Sequence, residues 1–346
     1  MSLRLICGRA GTGKSEFCFQ EIAQKIKQNQ TKKIYIITPE QFSLTTEKKL
    51  LAELSEKSVT KAEVLTFKRM AYRIATEVGG KTKIALSSSG KAMLLYQILA
   101  ENKEKLKFLG KTEKNIEILD KELTELKKHH VTIEMLNKCY EEEEDPYRKA
   151  KIADIVYIYQ KYEGKLQNNY IDENDDLTLL VERLPHSQMF QDVDIYLDEF
   201  VGFTKQEYNI IEQLLIMSKQ VSITITTDNL DMMTNRDTDI FYSNKQTADK
   251  LLFLAKKQNV ALEKTIFLTQ CYRLKNKELE HIEKNLYHIP AEKYNQKPEH
   301  LHLFLASNPY TEIEQVAKQI TFLVKEKKYA FQDIGIITKD LECYGN

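Results

Sequence analysis

Apolar and polar residues alternate along the first 80 positions in a way that predicts strand and helix in turn. Leu3–Cys7 is a short apolar run that meets a Gly-rich turn. Ser15–Lys27 carries Cys18, Phe19, Ile22 and Ile26 at helical spacing, and Ile34–Ile37 is a second buried-strand run. Thr45–Leu54 follows as a helix, Glu63–Thr66 as a short strand and Met70–Val78 as a helix. Alternation of this kind predicts a parallel sheet with crossover helices.

The texture changes from about Ser87 to Leu184. Met93, Leu94, Ile98 and Leu99 share one predicted helix face, and Ile116, Leu119, Leu123 and Leu126 share another. Ile152, Ile155, Val156, Tyr159 and Tyr162 continue the helical period. No strand is expected in this block, and the acidic run Glu141–Asp145 is expected to be a solvated connection. Strands return at Asp194–Leu197, Val221–Thr226 and Thr265–Leu268. After the linker-like Pro290–Pro298, strand, helix and strand are expected at Leu301–Leu305, Glu312–Lys325 and Ile334–Thr338. The predicted organisation is α/β: a parallel-sheet domain split between 1–86 and 186–290, a helical insertion over 87–185, and the opening of a second such domain over 291–346.

Composition refines this. The 346 residues suit two or three domains, and 14 Phe, 18 Tyr and 42% hydrophobic residues are enough to fill a sizeable core. Only 11 Gly and 6 Pro disfavour a turn-dense sandwich and favour long helices. The 51 basic residues cancel 51 acidic ones, so binding to nucleic acid must come from local patches. Five scattered cysteines form neither a zinc knuckle nor a disulfide framework and point to a reducing compartment. The first apolar run is too short for a signal-peptide core, and no stretch approaches the roughly 20 residues that span a bilayer. A soluble, cytoplasmic chain with no membrane partner is expected.

The chemistry concentrates in two places. Gly8-Arg9-Ala10-Gly11-Thr12-Gly13-Lys14-Ser15 fits G-x-x-x-x-G-K-[ST], after a strand and before a helix. Glycines let successive N–H groups turn inward around a phosphate, and the following helix offers its positive end. Lys14 would reach the β/γ oxygens of ATP, and the Ser15 hydroxyl is a natural Mg²⁺ ligand. The strand Asp194–Leu197 ends in Asp198 and Glu199. Beside such a loop, Asp198 is expected to help hold Mg²⁺, and Glu199 to orient and deprotonate an attacking water.

These motifs, in this order, resemble the superfamily 1 helicases of the UvrD/RecB type, and among them the N-terminal part of the AddB family. Ile34–Phe42, with Pro39, Glu40 and Gln41, resembles the strand and turn after the phosphate loop. Val64-Leu65-Thr66-Phe67-Lys68 resembles the next helicase motif, usually Thr-Phe-His. Tyr159–Glu163 and Asp175-Asp176-Leu177 resemble the end of the helical insertion, and Thr226-Thr227-Asp228 stands where the third motif is expected. Cys271-Tyr272-Arg273 resembles the Asn-Tyr-Arg motif. Ala306–Ile320 and Asp333–Thr338 resemble the opening of the second RecA-like motor domain.

The resemblance implies a RecA-like P-loop fold, an ATP and Mg²⁺ site, and contact between Thr66, Phe67, Lys68 and single-stranded DNA. It implies a γ-phosphate contact for Arg273, whose alternative is a surface salt bridge. It further implies work in double-strand-break repair and Chi recognition, as one half of a helicase–exonuclease paired with an AddA-type motor. The family's nuclease domain and iron–sulfur cluster are expected beyond this chain. The third motif lacks its usual Gln, with Asn229 and Met232 near its place, and with almost nothing before the first strand the upstream adenine-reading glutamine motif of active motors is not expected here. With the second motor domain incomplete, the chain is not expected to unwind DNA alone. Two other functions stay open: an autonomous helicase motor, and a P-loop scaffold without catalysis. Gln41 either senses nucleotide, lines the DNA path, or caps the helix near Thr45. Lys68, Arg69 and Arg73 either meet DNA phosphates or form a solvated face. His129, His130, Cys139, Asp175 and Asp176 lack the spacing of a metal site. The tyrosines at 157, 159 and 162 are expected to pack in a core rather than stack bases.

Overall fold

The computed structural model describes residues 1–54, 60–79, 84–109, 116–171, 175–231, 239–288 and 290–344; Met232 and the side chain of Asp175 lie outside them. The chain forms two compact units, Met1–Arg273 and Leu274–Asn346.

In chain order, the first unit comprises β1 (Ser2–Gly8), α1 (Lys14–Lys27), β2 (Ile34–Ile37), α2 (Ser43–Glu53), β3 (Ala62–Leu65), α3 (Phe67–Val78) and β4 (Ile84–Ala85). Then come α4 (Ser88–Glu101), α5 (Ile116–Lys128), α6 (Ile133–Glu142), α7 (Pro146–Asn169), β5 (Tyr170–Ile171) and α8 (Asp175–Arg183). The chain continues through β6 (Asp194–Leu197), α9 (Lys205–Met217), β7 (Gln220–Thr226), α10 (Tyr242–Lys257), β8 (Ala261–Leu262) and β9 (Ile266–Leu268).

Seven of these strands form one parallel sheet in the order β3-β2-β6-β7-β1, with β8 and β9 both pairing with the far side of β1. Parallel strands are covered on both faces, which is why they read as unbroken apolar runs. Side chains alternate across the sheet. Leu3, Leu5, Cys7, Tyr35, Ile37, Ile195 and Leu197 join one core with Met70, Ile74, Ile210, Leu214 and Leu251. Ile6, Ile34, Ile36 and Tyr196 join the opposite core with Phe19, Ile22 and Leu50. A polar tie crosses that second face: Arg4 Nη2 donates to Glu21 Oε1 at 2.6 Å and to Ser222 Oγ at 2.9 Å, and the Tyr196 hydroxyl also donates to Glu21. Burial pushes the Glu21 carboxyl up, but the bonds from Arg4 and Tyr196 outweigh it and hold the group below its ordinary value.

The helical insertion has its own core of Leu95, Ile98, Leu99, Leu119, Leu123, Ile158, Tyr159 and Tyr162. Tyr159 and Tyr162 pack in it, and Tyr157 donates to Asn102 Oδ1 at 2.8 Å. One face differs from expectation: Met93 is 73% exposed, and the buried stripe of α4 is Lys91, Leu95, Ile98 and Leu99. Those four follow the i, i+4, i+7, i+8 rule, with Lys91 neutralised by Asp120 at 2.7 Å. Asp154, also buried, accepts the N–H groups of Lys107, Phe108 and Leu109 at 3.1, 2.7 and 2.9 Å. The expectation of no strand in this block is corrected: β5 pairs in parallel with β4, Ile84 opposite Tyr170, at the neck where the chain leaves and re-enters the sheet unit. Two residues are too short to show a periodic signal. In the acidic run, Glu141 and Glu142 end α6, while Asp145 caps α7 by accepting from the N–H groups of Tyr147 and Arg148.

The second unit contains α11 (Lys277–Asn285) and α12 (Pro309–Lys325). The strands expected at Leu301–Leu305 and Ile334–Thr338 do not form. Leu303, Leu305 and Ile337 are 99%, 100% and 98% exposed. Apolar runs supply strand propensity, but a strand also needs a hydrogen-bonding neighbour, and among the described residues none pairs with either segment. Among the described residues no helix is long and apolar enough to cross a membrane.

Candidate functional site

The loop Gly8–Ser15 leaves the carboxyl end of β1. Gly8 is required sterically, since a Cβ there would stand 2.4 Å from Thr12 Oγ1 and 2.7 Å from the Leu268 carbonyl. Gly11 and Gly13 both have φ near +81°, the left-handed conformation that other residues adopt at a cost. Thr12 Oγ1 donates to the Arg9 carbonyl at 2.9 Å and the Tyr272 N–H donates to the Gly11 carbonyl at 2.8 Å. Lys14 lies across this turn, with Nζ donating to the carbonyls of Gly8 and Arg9 at 2.9 and 3.0 Å. Burial lowers the Lys14 pKa; Asp198 and Glu199 oppose the shift, and Arg273 reinforces it.

At the tip of β6, Asp198 is 3% exposed. Its N–H donates to the Ile37 carbonyl at 3.0 Å, and Oδ1 accepts from Thr224 Oγ1 at 2.6 Å. Its other oxygen, Oδ2, is buried without a hydrogen-bond partner. Glu199 has φ +66°, a left-handed geometry costing on the order of 1–3 kcal/mol in a non-glycine residue, and its carboxylate accepts from Ser15 Oγ at 3.3 Å. Ser15, Asp198 and Glu199 therefore meet at the loop, although they lie far apart in sequence. A hydroxyl and an orphaned buried carboxylate oxygen are the hard donors that Mg²⁺ takes. The donor set fits that ion.

Arg273 also reaches the loop, since a Cβ on Gly11 would stand 2.7 Å from its own Cβ. Cys271 Sγ donates to the Ala10 carbonyl at 3.9 Å. Arg9 turns elsewhere, 3.7 Å from Asp228 and over the Phe241 ring at 5.0 Å. Asp228, in the third-motif position, also faces the buried Lys245 at 3.8 Å, which pairs with Asp239 at 2.7 Å. Asn229 turns its amide to Asp228 at 3.0 Å.

Beside Glu199 runs a groove of about 470 Å³, lined among others by Thr38, Gln41, Thr66, Phe67, Lys68 and Phe200. Gln41 and Lys68 are exposed. Thr66 is buried and caps α3, its Oγ1 accepting from the Arg69 N–H at 3.1 Å. Phe67 is buried against Phe200. Among the described residues no side-chain cap is made at the start of α2, where Phe42 is the N-cap, so the capping alternative for Gln41 is not realised there. Arg69 and Arg73 form ion pairs with Glu47 and Glu63 around a second cavity at the β3 edge, whose lining shares no residue with the Gly8–Ser15 loop.

Three further residues bear on the site. Thr224 orients Asp198 from the neighbouring strand. Thr38 directly follows β2 with a buried hydroxyl that has no hydrogen-bond partner, the first polar residue after an apolar run. Tyr272, 65% exposed, lies over the start of α1, where a Cβ on Gly13 would be 3.6 Å from its ring. Its signal was the middle place in Cys271-Tyr272-Arg273.

Residues 5–283 match the family described as ADDB, N-terminal. The chain is 43% identical to the B subunit of the ATP-dependent helicase/deoxyribonuclease of Clostridium tetani, over 99% of this chain and 31% of that protein. It is 41% identical to the protein so named from Clostridium botulinum, over 100% and 31%. With that of Clostridium acetobutylicum the identity is 40%, over 99% and 30%. The chain thus spans about a third of the length of the curated relatives it matches.

Proposed function

The chain belongs to the ADDB N-terminal family, and on that premise we propose that it is the helicase-like nucleotide-binding part of the B subunit of an ATP-dependent helicase/deoxyribonuclease. The observation that carries this is the convergence of the Gly8–Ser15 loop with the unpartnered Oδ2 of Asp198 and the carboxylate of Glu199. The loop N–H groups and Lys14 bind the ATP phosphates, and Arg273 contacts the terminal one. Tyr272 offers its exposed ring face to the base. Ser15 and Asp198 hold Mg²⁺, which when bound neutralises phosphate charge. Glu199 orients water and accepts its proton.

Single-stranded DNA lies along the groove at Gln41, Thr66, Phe67 and Lys68. There Lys68 supplies charge, while Thr66 and Phe67 act by shaping the groove wall. The whole protein pairs with an AddA-type motor in double-strand-break repair and Chi recognition, with its nuclease and iron–sulfur cluster on other parts of the protein. The domain division 1–86 with 186–290, 87–185 and 291–346 belongs to the same reading. The five free cysteines suit the cytoplasm.

Calorimetric titration of the chain with ATP and Mg²⁺ tests this. Binding is expected, weakened at least about tenfold in Lys14→Ala, the equivalent of one charged phosphate contact. Absence of binding at millimolar ATP would leave only a scaffold role. Loss of any basal turnover in Glu199→Gln fits this reading, whereas stimulation of that turnover by DNA would instead identify an autonomous motor.

A further inference from the structure

Glu199 and Phe200 are adjacent, so any change in one backbone is felt by the other. Glu199 accepts the Ser15 hydroxyl at the phosphate loop. The Phe200 ring lines the groove and sits between two others, with centroids 5.5 Å from Phe67 and 4.9 Å from Phe203. Phe203 continues the row to Tyr208 at 5.6 Å. Both ends of this row are anchored independently. Phe67 opens α3, which Thr66 caps. Tyr208 belongs to α9, whose first turn is fixed by the reciprocal capping of Thr204 and Glu207. Phe200 is therefore clamped between Phe67 at the start of α3, a wall of the groove, and Phe203 of its own loop, which Tyr208 of α9 backs.

That clamp bears on the least relaxed backbone of the site. The left-handed φ of Glu199 persists only where the surroundings over-determine it. On one side Asp198 is pinned by Ile37 and Thr224, and on the other Phe200 is pinned by its rings. A ligand in the groove touches the same wall that holds Phe200. We propose that Phe200 is a positioning residue that couples occupation of the groove to the setting of Glu199 at the nucleotide site. Two arrangements underlie the coupling: Phe200 between its rings with Glu199 on Ser15, and Phe200 displaced with Glu199 released. A groove ligand and a nucleotide that each prefer one arrangement must influence one another equally in both directions. The inference rests on the functional reading above for the identity of the two ligands.

The test measures the Kd for ATP with Mg²⁺ on the whole chain, with and without a saturating short oligo-dT. The readout is the ratio of the two values, which a simple loss of contact with either ligand does not move. The ratio for the unaltered chain is expected to differ from one by at least about fivefold. Phe200→Leu, which keeps an apolar side chain but removes the ring, is expected to bring it within about twofold of one. Phe200→Tyr keeps the ring and is expected to retain the full ratio, which guards against misreading a folding defect in the leucine variant. A full ratio in Phe200→Leu, or a ratio of one in the unaltered chain, overturns the coupling. Failure of the unaltered chain to bind ATP or the oligonucleotide overturns the functional reading itself, and the coupling with it.

Discussion

Thr224→Val is the most direct probe of the carboxylate at the centre of the site. Valine has nearly the shape of threonine and suits the interior of a strand, so the change leaves the packing of β7 intact and removes one hydroxyl. That hydroxyl donates 2.6 Å to Oδ1 of a carboxylate 3% exposed whose other oxygen already has no hydrogen-bond partner. A hydrogen bond to a charged group contributes about 1.5–3 kcal/mol. Its own backbone N–H is committed to Ile37 and does not replace it. A loss of about 2 kcal/mol in urea unfolding is expected, with the slope unchanged because the surface exposed is the same. The second effect is on metal. The bond to Oδ1 fixes the carboxylate and leaves Oδ2 unpartnered, and loss of such an orienting partner typically weakens a metal site about 10- to 100-fold. Titrating Mg²⁺ at fixed ATP should show that shift in Thr224→Val and its recovery in Thr224→Ser, which restores the donor. Stability within about 0.5 kcal/mol of the unaltered chain would refute the account, because a change that small is what a surface substitution gives.

Two further expectations concern the scaffold. Asp154→Ala leaves three backbone N–H groups without their shared acceptor and should cost about 3 kcal/mol in urea unfolding, with Asp154→Asn intermediate because an amide nitrogen cannot accept. In the second unit, Glu278 is held at about 2, below its ordinary 4.5, first by the His300 side chain and then by the backbone N–H of His300. A depressed carboxyl stabilises fully above the ordinary value and loses that contribution as pH falls toward the folded one. Hydrogen exchange at the Glu299 and His300 amides should therefore lose protection between pH 4.5 and about 2, and Glu278→Gln should flatten that dependence.

Strand positions in the first unit were legible because burial on both faces leaves runs such as Ile34–Ile37 wholly apolar. The glycine-rich turn after β1 was legible because backbone geometry dictates its residue types, and the strand end at Asp198 and Glu199 because two carboxylates close an apolar run. Pairing was not legible. Thr224 reads in sequence as one polar member of an ordinary alternating strand; only the register that sets Ile223 beside Leu197 brings its hydroxyl to Asp198. The paired segments Ile84–Ala85 and Tyr170–Ile171 are too short to carry a period. The opposite error arose at Leu301–Leu305, where propensity was present and a pairing partner was not. Thr66 and Phe67 show a different gap: motif position named them as contacts, while burial gives one a capping role and the other a place in the ring row.

The position of the loop follows from the path of the chain. Crossovers between parallel strands are right-handed, so the direction in which the chain moves along the sheet decides which face its helix covers. From β1 the chain moves through α1 toward β2, passing the places of β7 and β6, and α1 packs on the face of Ile6 and Tyr196. From β7 it moves the opposite way through α10 to β8, beyond β1, and Ala248, Leu251 and Ala255 of α10 pack on the other face. Neighbouring strands β1 and β7 thus send their connections to opposite sides and leave a crevice between their carboxyl ends, where ligands of open parallel sheets bind. The chain bridges that crevice through the Thr227 N–H on the Gly8 carbonyl at 3.3 Å and the approach of Arg9 to Asp228 at 3.7 Å. β6 lies on the far side of β7 from β1, so Asp198 and Glu199 must reach back across the end of β7 to the loop. Thr224 of β7, beside Asp198 in the strand register, is what holds that reach in place.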